Sequence, residues 1–162
     1  MNEETEKAAS IAELDLQTLL CTMKPEIQLA GDFAFVTLTP EEEKHRGLAA
    51  MDELRKGALM CFGESEGLTL IVPVSSADLN NLNHDGPMSC ITLTVHSSLQ
   101  AVGLTAAVSN VLANAGIPAN VVAAYYHDHI FLPTDRAAQA IALLEQCSAA
   151  AAAAVAVAKE SV

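Results

Sequence analysis

The chain of 162 residues is 51% hydrophobic and sets 8 Lys and Arg against 20 Asp and Glu, for a formal net charge of −12. So few basic side chains, scattered along the sequence, disfavour nucleic acid and anionic membrane surfaces as partners. The four cysteines, Cys21, Cys61, Cys90 and Cys147, form no CxxC pair and sit in apolar contexts that suit buried free thiols.

In chain order, the opening Asn2-Glu3-Glu4 lacks the basic-then-apolar pattern of an export signal. The longest apolar stretch, 149–158, is short and alanine-rich for a bilayer span, so a cytoplasmic protein is expected. Residues 1–9 are expected to be disordered. Ser10 is placed to cap a helix over 11–21, which ends before Pro25. A strand over 33–38 comes after Gly31-Asp32. Thr39-Pro40-Glu41-Glu42-Glu43 then combines a cap, a proline at the first helical position and acids in the first turn, while Gly47 weakens the helix beyond it. Apolar runs at 57–62 and 68–73 flank Gly63-Glu64-Ser65-Glu66-Gly67 and predict a hairpin closed by Pro73. Ser75 or Ser76 caps a short helix over 77–82. The run 80–87, rich in Asn and ending Gly86-Pro87, reads as a loop and as the boundary between two halves.

The second half repeats the order. Residues 90–95 alternate, with Ile91, Leu93 and Val95 on one face and Thr92 and Thr94 on the other. Ser97-x-x-Gln100 has the pattern of a capping box. Leu104, Val108, Val111, Leu112 and Ala115 form a stripe at helical spacing, stopped by Gly116 as a left-handed cap. A strand over 120–126 turns at His127-Asp128 and returns through 130–132. A closing helix starts near Thr134 and carries Ala138, Ile141, Leu144 and Glu145, and the alanine-rich tail 149–162 is expected to be helical or frayed. The order strand, helix, strand, strand, helix, met twice, predicts a duplicated α+β protein with modules at 10–85 and 86–148. Val121, Val122, Ala123 and Ala124 leave both faces of their strand apolar, so a second copy of the chain is the expected cover, as a homodimer.

The stretch from Ile91-Thr92-Leu93-Thr94-Val95-His96-Ser97-Ser98-Leu99-Gln100 through Ala107 resembles the first strand, loop and helix of the ACT domain family, regulatory modules that bind small molecules. Ala115-Gly116-Ile117-Pro118-Ala119-Asn120-Val121-Val122 and Tyr125-Tyr126-His127-Asp128-His129-Ile130-Phe131 continue the likeness. Met23-Lys24-Pro25-Glu26 and Glu66-Gly67-Leu68-Thr69-Leu70-Ile71-Val72-Pro73 extend it to the first half, which lacks the helix-start serines and the Gly-Ile-x-x-Asn segment. The resemblance covers about residues 12 to 147 and implies a tandem ferredoxin-like architecture with antiparallel sheets, helices on one face, and amino-acid binding.

A helix beginning at Ser97-Ser98-Leu99 would present unpaired N–H groups suited to a carboxylate. The resemblance implies an amino acid there, with Val102 beside it. Ile117, Asn120 and Val121 would come from the neighbouring strand, and Asp128 on the hairpin would serve as a negative counterpart. The plainer readings are that Ser97 only caps its helix and Asn120 only satisfies a strand end. His127 and His129 share a strand face but lack a third ligand at metal spacing, so no metal is expected. Ser97 beside His96 has no nucleophile elbow, and the glycines form no nucleotide fingerprint, so neither catalysis nor a cofactor is expected. The expectation is a non-catalytic, allosteric regulatory protein with its small-molecule ligand at the interface between modules or subunits. The alternative is a structural or adaptor module without a ligand.

Overall fold

The computed structural model describes residues 15–27 and 31–160. The expected disorder of 1–9 and the expected cap at Ser10 lie outside the described residues. The elements are α1 (Leu16–Thr22), β1 (Pro25–Glu26), β2 (Phe33–Leu38), α2 (Pro40–Arg46), α3 (Leu48–Gly57), β3 (Met60–Gly63), β4 (Leu68–Pro73), α4 (Val74–Leu79), β5 (His84–Leu93), α5 (Leu104–Asn114), β6 (Asn120–Ala123), β7 (Asp128–Pro133), a 3-10 turn (Thr134–Arg136) and α6 (Ala137–Glu160). They form two compact units, residues 29–90 and residues 1–28 with 91–162. The expected division at 85/86 therefore differs from the structure in two ways. The boundary falls inside β5, and the first helix and strand join the second half. The reason is strand pairing: β1 has its partner in the second half, Pro25 opposite Leu93 and Glu26 opposite Thr92.

In the unit of residues 29–90 the strand order is β3-β4-β2-β5, with β2 antiparallel to both β4 and β5. Thr39 begins α2 with a capping box: its hydroxyl accepts from Glu42 N at 3.3 Å while Thr39 N donates to Glu42 Oε2 at 2.8 Å. Gly47, at φ +79°, separates α2 from α3. Met51 and Leu54 of α3 and Ala77 of α4 pack on Val36, Leu38, Leu70 and Val72. The helix after Pro73 runs from Val74 to Leu79, so Ser75 and Ser76 lie inside it rather than capping it. Only residues 80–83 form the loop expected over 80–87, because His84 to Pro87 belong to the strand beside β2. Gly86 permits that pairing: a Cβ there would sit 2.8 Å from the Phe33 carbonyl oxygen.

The other unit has the order β1-β5-β7-β6 and the same ferredoxin-like α+β plan. Ile91, Leu93, Ile130 and Leu132 pack beneath Leu104, Val108 and Leu112 of α5 and Ala137, Ala140 and Leu144 of α6, so Ala138 and Glu145 lie on the exposed side of that helix. Gly116, at φ +65°, ends α5 as its left-handed cap. Leu19, Leu20 and Met23 from the α1 region join the same core. Beyond Ser148, α6 continues as helix to Glu160, and Ser148 Oγ donates to the Cys21 carbonyl at 3.2 Å. Among the described residues, the stretch Thr134–Ala158 is long and apolar enough to cross a membrane by length and composition, but its first turns are seated in this core. All four cysteines are free; Cys90 is buried, whereas Cys61 is exposed rather than buried as expected.

The β3–β4 turn tests the packing of the first unit. A Cβ at Gly67 would overlap the Leu38 carbonyl oxygen, which is backbone and cannot swing aside, whereas a Cβ at Gly63 meets nothing. Gly67→Ala is expected to lose about 2 kcal/mol of stability, and Gly63→Ala to stay within about 0.5 kcal/mol of wild type, both measured by urea unfolding.

Candidate functional site

After β5 the chain is steered by short backbone contacts rather than by a helix. Thr94 donates to the Lys24 carbonyl through both N (2.9 Å) and Oγ1 (3.1 Å), and Ser97 N reaches the Val95 carbonyl at 3.2 Å. Ser98 then makes a tight turn. Its Oγ accepts from Gln100 N at 3.1 Å, and its carbonyl accepts from Ala101 N at 2.9 Å. The expected capping box at Ser97-x-x-Gln100 is therefore absent, and the helix begins later, at Leu104. Its N-cap is Gly103, at φ +106°, which supplies no side-chain hydrogen bond. A Cβ at Gly103 would come 2.8 Å from Leu16 Cδ2, a side-chain tip that can turn aside, so it is the backbone angle that favours glycine here. The first turn of α5 thus presents N–H groups that no capping side chain satisfies.

Opposite lies the β6–β7 hairpin. The strand ends at Ala123 rather than running to Tyr126, the turn occupies 124–127, and Asp128 is the first residue of β7, paired with Ala123. Ser97, Ser98, Leu99, Ala101, Leu104, Thr105, Ala123, Ala124 and Asp128 enclose a pocket of about 90 Å³. Asp128 is only 6% exposed, and its carboxylate receives no side-chain hydrogen bond among the described residues. Burial pushes its pKa above the usual carboxylate value, and the neighbouring His129 and His127 oppose that shift. His129 is itself pushed down, first by burial and then by His127, and its Nδ1 lies 3.0 Å from Thr92 Oγ1. His127 Nδ1 lies 3.3 Å from the Val95 carbonyl oxygen.

Of the residues expected at the site, Ser97, Ser98, Leu99 and Asp128 come together, and all four belong to one unit. Val102 is 82% exposed outside the pocket, and Ile117 is 2% exposed within the core. Val121 packs against that core, and Asn120 directs Nδ2 toward the Phe131 carbonyl at 3.5 Å. These four do not line the pocket, because the helix begins six positions later than the serine pattern implied and β6 lies at the sheet edge. Ala101, Leu104, Thr105, Ala123 and Ala124 were not foreseen; Gly103 was the available signal for Leu104 and Thr105.

A second cleft, about 290 Å³, adjoins along Ser97, Ser98 and Leu99 and adds His96, Gln100, Tyr125 and Tyr126. The Tyr125 and Tyr126 rings meet edge to face at 4.9 Å, and His96 lies tilted 5.5 Å from Tyr126. Elsewhere, the broad cleft beside Thr39, Glu41, Glu42, His45 and Arg46 skirts α2, where Thr39 and Glu42 already satisfy one another. Among the described residues no group of His, Cys, Asp and Glu is arranged to hold a metal ion.

Residues 86–146 and residues 11–89 each match an ACT domain. No curated protein matches the chain. Among solved structures, a Vibrio cholerae protein of unknown function, VC0802, described as a possible transport protein, is 42% identical over 82% of this chain and 95% of its own, with a TM-score of 0.69. Atu0741 from Agrobacterium tumefaciens is 16% identical over 73% of this chain and 84% of its own, with a TM-score of 0.57. The ligand-free regulatory subunit of aspartate kinase from Thermus thermophilus is 14% identical over 79% of this chain and 97% of its own, with a TM-score of 0.54. At those two identities the likeness is one of fold. With both halves matched and the fold shared, the chain belongs to the ACT domain family of regulatory, small-molecule-binding modules and carries two such domains in tandem.

Proposed function

We propose that the protein is a non-catalytic sensor of a free α-amino acid, which is held at the pocket between the start of α5 and the β6–β7 hairpin. The observation that carries this reading is Asp128, a carboxylate that is 6% exposed and receives no side-chain hydrogen bond among the described residues, facing a pocket it shares with two serines and a helix start. A carboxylate partly withdrawn from water is disfavoured in its charged form, and an ammonium group in the pocket it lines is the complement that relieves it. The uncapped N–H groups of α5 and the Ser97 and Ser98 hydroxyls suit the carboxylate of the same molecule. A pocket of about 90 Å³ fits such a head group and little more.

Binding would order the 97–103 loop against the hairpin, and a partner protein would respond to that change. A cytoplasmic homodimer is part of the proposal. It is supported by the edge position of β6 and the exposure of Ala123 and Ala124 beside the pocket.

Two outcomes test the reading. A thermal-shift screen of free amino acids on the full chain should give at least one hit, with about 2.7 kcal/mol of stabilisation at 100 times its dissociation constant. A panel without any hit, on a chain that is dimeric, would favour an adaptor instead. The second outcome concerns Asp128→Asn. A raised pKa in the folded state means that the fold binds a proton more readily than the unfolded chain. The contribution of Asp128 to the stability of unliganded wild type should therefore fall as pH rises from the ordinary carboxylate value through the raised one. Asp128→Asn should remove that fall, leave the unliganded protein at least as stable at neutral pH, and abolish the ligand-induced shift. Ligand affinity of wild type should weaken as pH is lowered through the same window, as titration calorimetry would show.

A further inference from the structure

We propose that the adjoining cleft formed by His96, Gln100, Tyr125 and Tyr126 reads the ligand's side chain and selects an amino acid bearing an aromatic ring. This rests on the reading of the Asp128 pocket as the head-group site. That pocket is too small for more than a head group, so a larger side chain must leave it. The cleft of about 290 Å³ shares Ser97, Ser98 and Leu99 with it as a common wall.

The chemistry of the cleft narrows the class. Among the described residues its lining has no Lys, Arg, Asp or Glu to serve as counter-ion to a charged side chain. What it offers is ring surface. The chain has two tyrosines and no tryptophan, and both tyrosines stand side by side in this one turn, 67% and 56% exposed. Turns favour Gly, Asn, Asp and Ser, and neither ring belongs to the hydrophobic core clusters. Packing therefore gives no reason for two large aromatics at this place. Their centroid spacings of 4.9 and 5.5 Å, the latter to His96, already form an array that a further ring would extend. An aliphatic side chain would fill the space without that gain. A cationic one could lie over a tyrosine face, but the nearby carboxylate, Asp128, belongs to the other pocket.

The composition supplies the assay. With no tryptophan and no other tyrosine, the intrinsic tyrosine emission of the full chain comes from this cleft alone. Alanine, leucine, phenylalanine and arginine are titrated by calorimetry and by tyrosine emission. The expected result is that phenylalanine binds about tenfold more tightly than leucine and changes the emission at saturation, while alanine binds without changing it. The double substitution Tyr125→Leu, Tyr126→Leu, at two exposed turn positions, should keep the affinity for alanine and abolish the preference for phenylalanine. Phenylalanine no tighter than leucine, arginine tightest of the four, or a preference that survives the double substitution would each overturn ring selection while the head-group site stands, as continued alanine binding would show. Binding of none of the four would overturn the head-group site and ring selection together.

Discussion

The alternation of β7 is the constraint on which the site depends. Side chains two apart on a strand share a face, so Asp128 lies on the same side as Ile130 and Leu132, which pack beneath α5 and α6. Burying those two apolar residues carries the carboxylate toward the helix side with them. The register to β6, with Ala123 opposite Asp128 and Val121 opposite Ile130, fixes the placement. A slip of one residue would bring His127, His129 and Phe131 to that face and expose the core pair, so the register is held by several buried side chains at once. The fold thus keeps an acid in a desolvated place by strand geometry, with His127 and His129 on the opposite parity offsetting only part of the cost.

The second wall of the pocket comes from an omission. Most helix starts in soluble proteins are satisfied by a side chain, whereas α5 starts at a glycine favoured by its left-handed backbone angle, φ +106°. Gly103 has no side chain to cap the first N–H groups of α5, and Leu104 and Thr105 of that first turn line the pocket with Ser97, Ser98 and Leu99. That loop is held by its own backbone contacts, and the Ser98 hydroxyl is engaged with Gln100 N. One wall of the pocket therefore carries acceptor charge and the other carries donors, which is the polarity an amino-acid zwitterion presents in reverse.

Much of this fold was legible because its elements obey strong periods. Ile91 and Leu93 alternate, Leu104, Val108 and Leu112 recur at helical spacing, and Thr39-Pro40-Glu41-Glu42 is a complete start signal. The start of α5 was misplaced because Ser97-x-x-Gln100 satisfies the sequence rule for a capping box, yet the apolar stripe does not extend back to it: Leu99 and Val102 would have to share a buried face and are instead exposed. The loop over 80–87 was too long because Gly86-Pro87 has the composition of a turn, while the close approach of β2 demands glycine within a strand. The union of α1 and β1 with the second half was invisible, since a strand of two residues has no period and its pairing is set only by three-dimensional contact. Asp128 was legible as a residue type and a hairpin position; its burial depended on where the turn closed, earlier in the chain than the His-Asp pair suggested.

The duplication gives the proposed site in the second unit a counterpart in the first. In topological terms β4 is to the first unit what β7 is to the second: each is six residues long and ends in proline. The position of Asp128 at the head of β7 is occupied by Leu68 at the head of β4, and Leu68 packs against its own core. The helices that pack on the two sheets start alike, α3 at Gly47 and α5 at Gly103, each at a positive-φ glycine without a side-chain cap. The first unit therefore differs at the strand head, where an apolar contact stands in the place of the charge, a difference that favours folding. The second unit carries the cost of the acid. A largely withdrawn acid at the head of one strand, matched by an apolar residue in the sister unit, is a departure that selection for stability alone would have removed, and the proposed head-group site is what accounts for it.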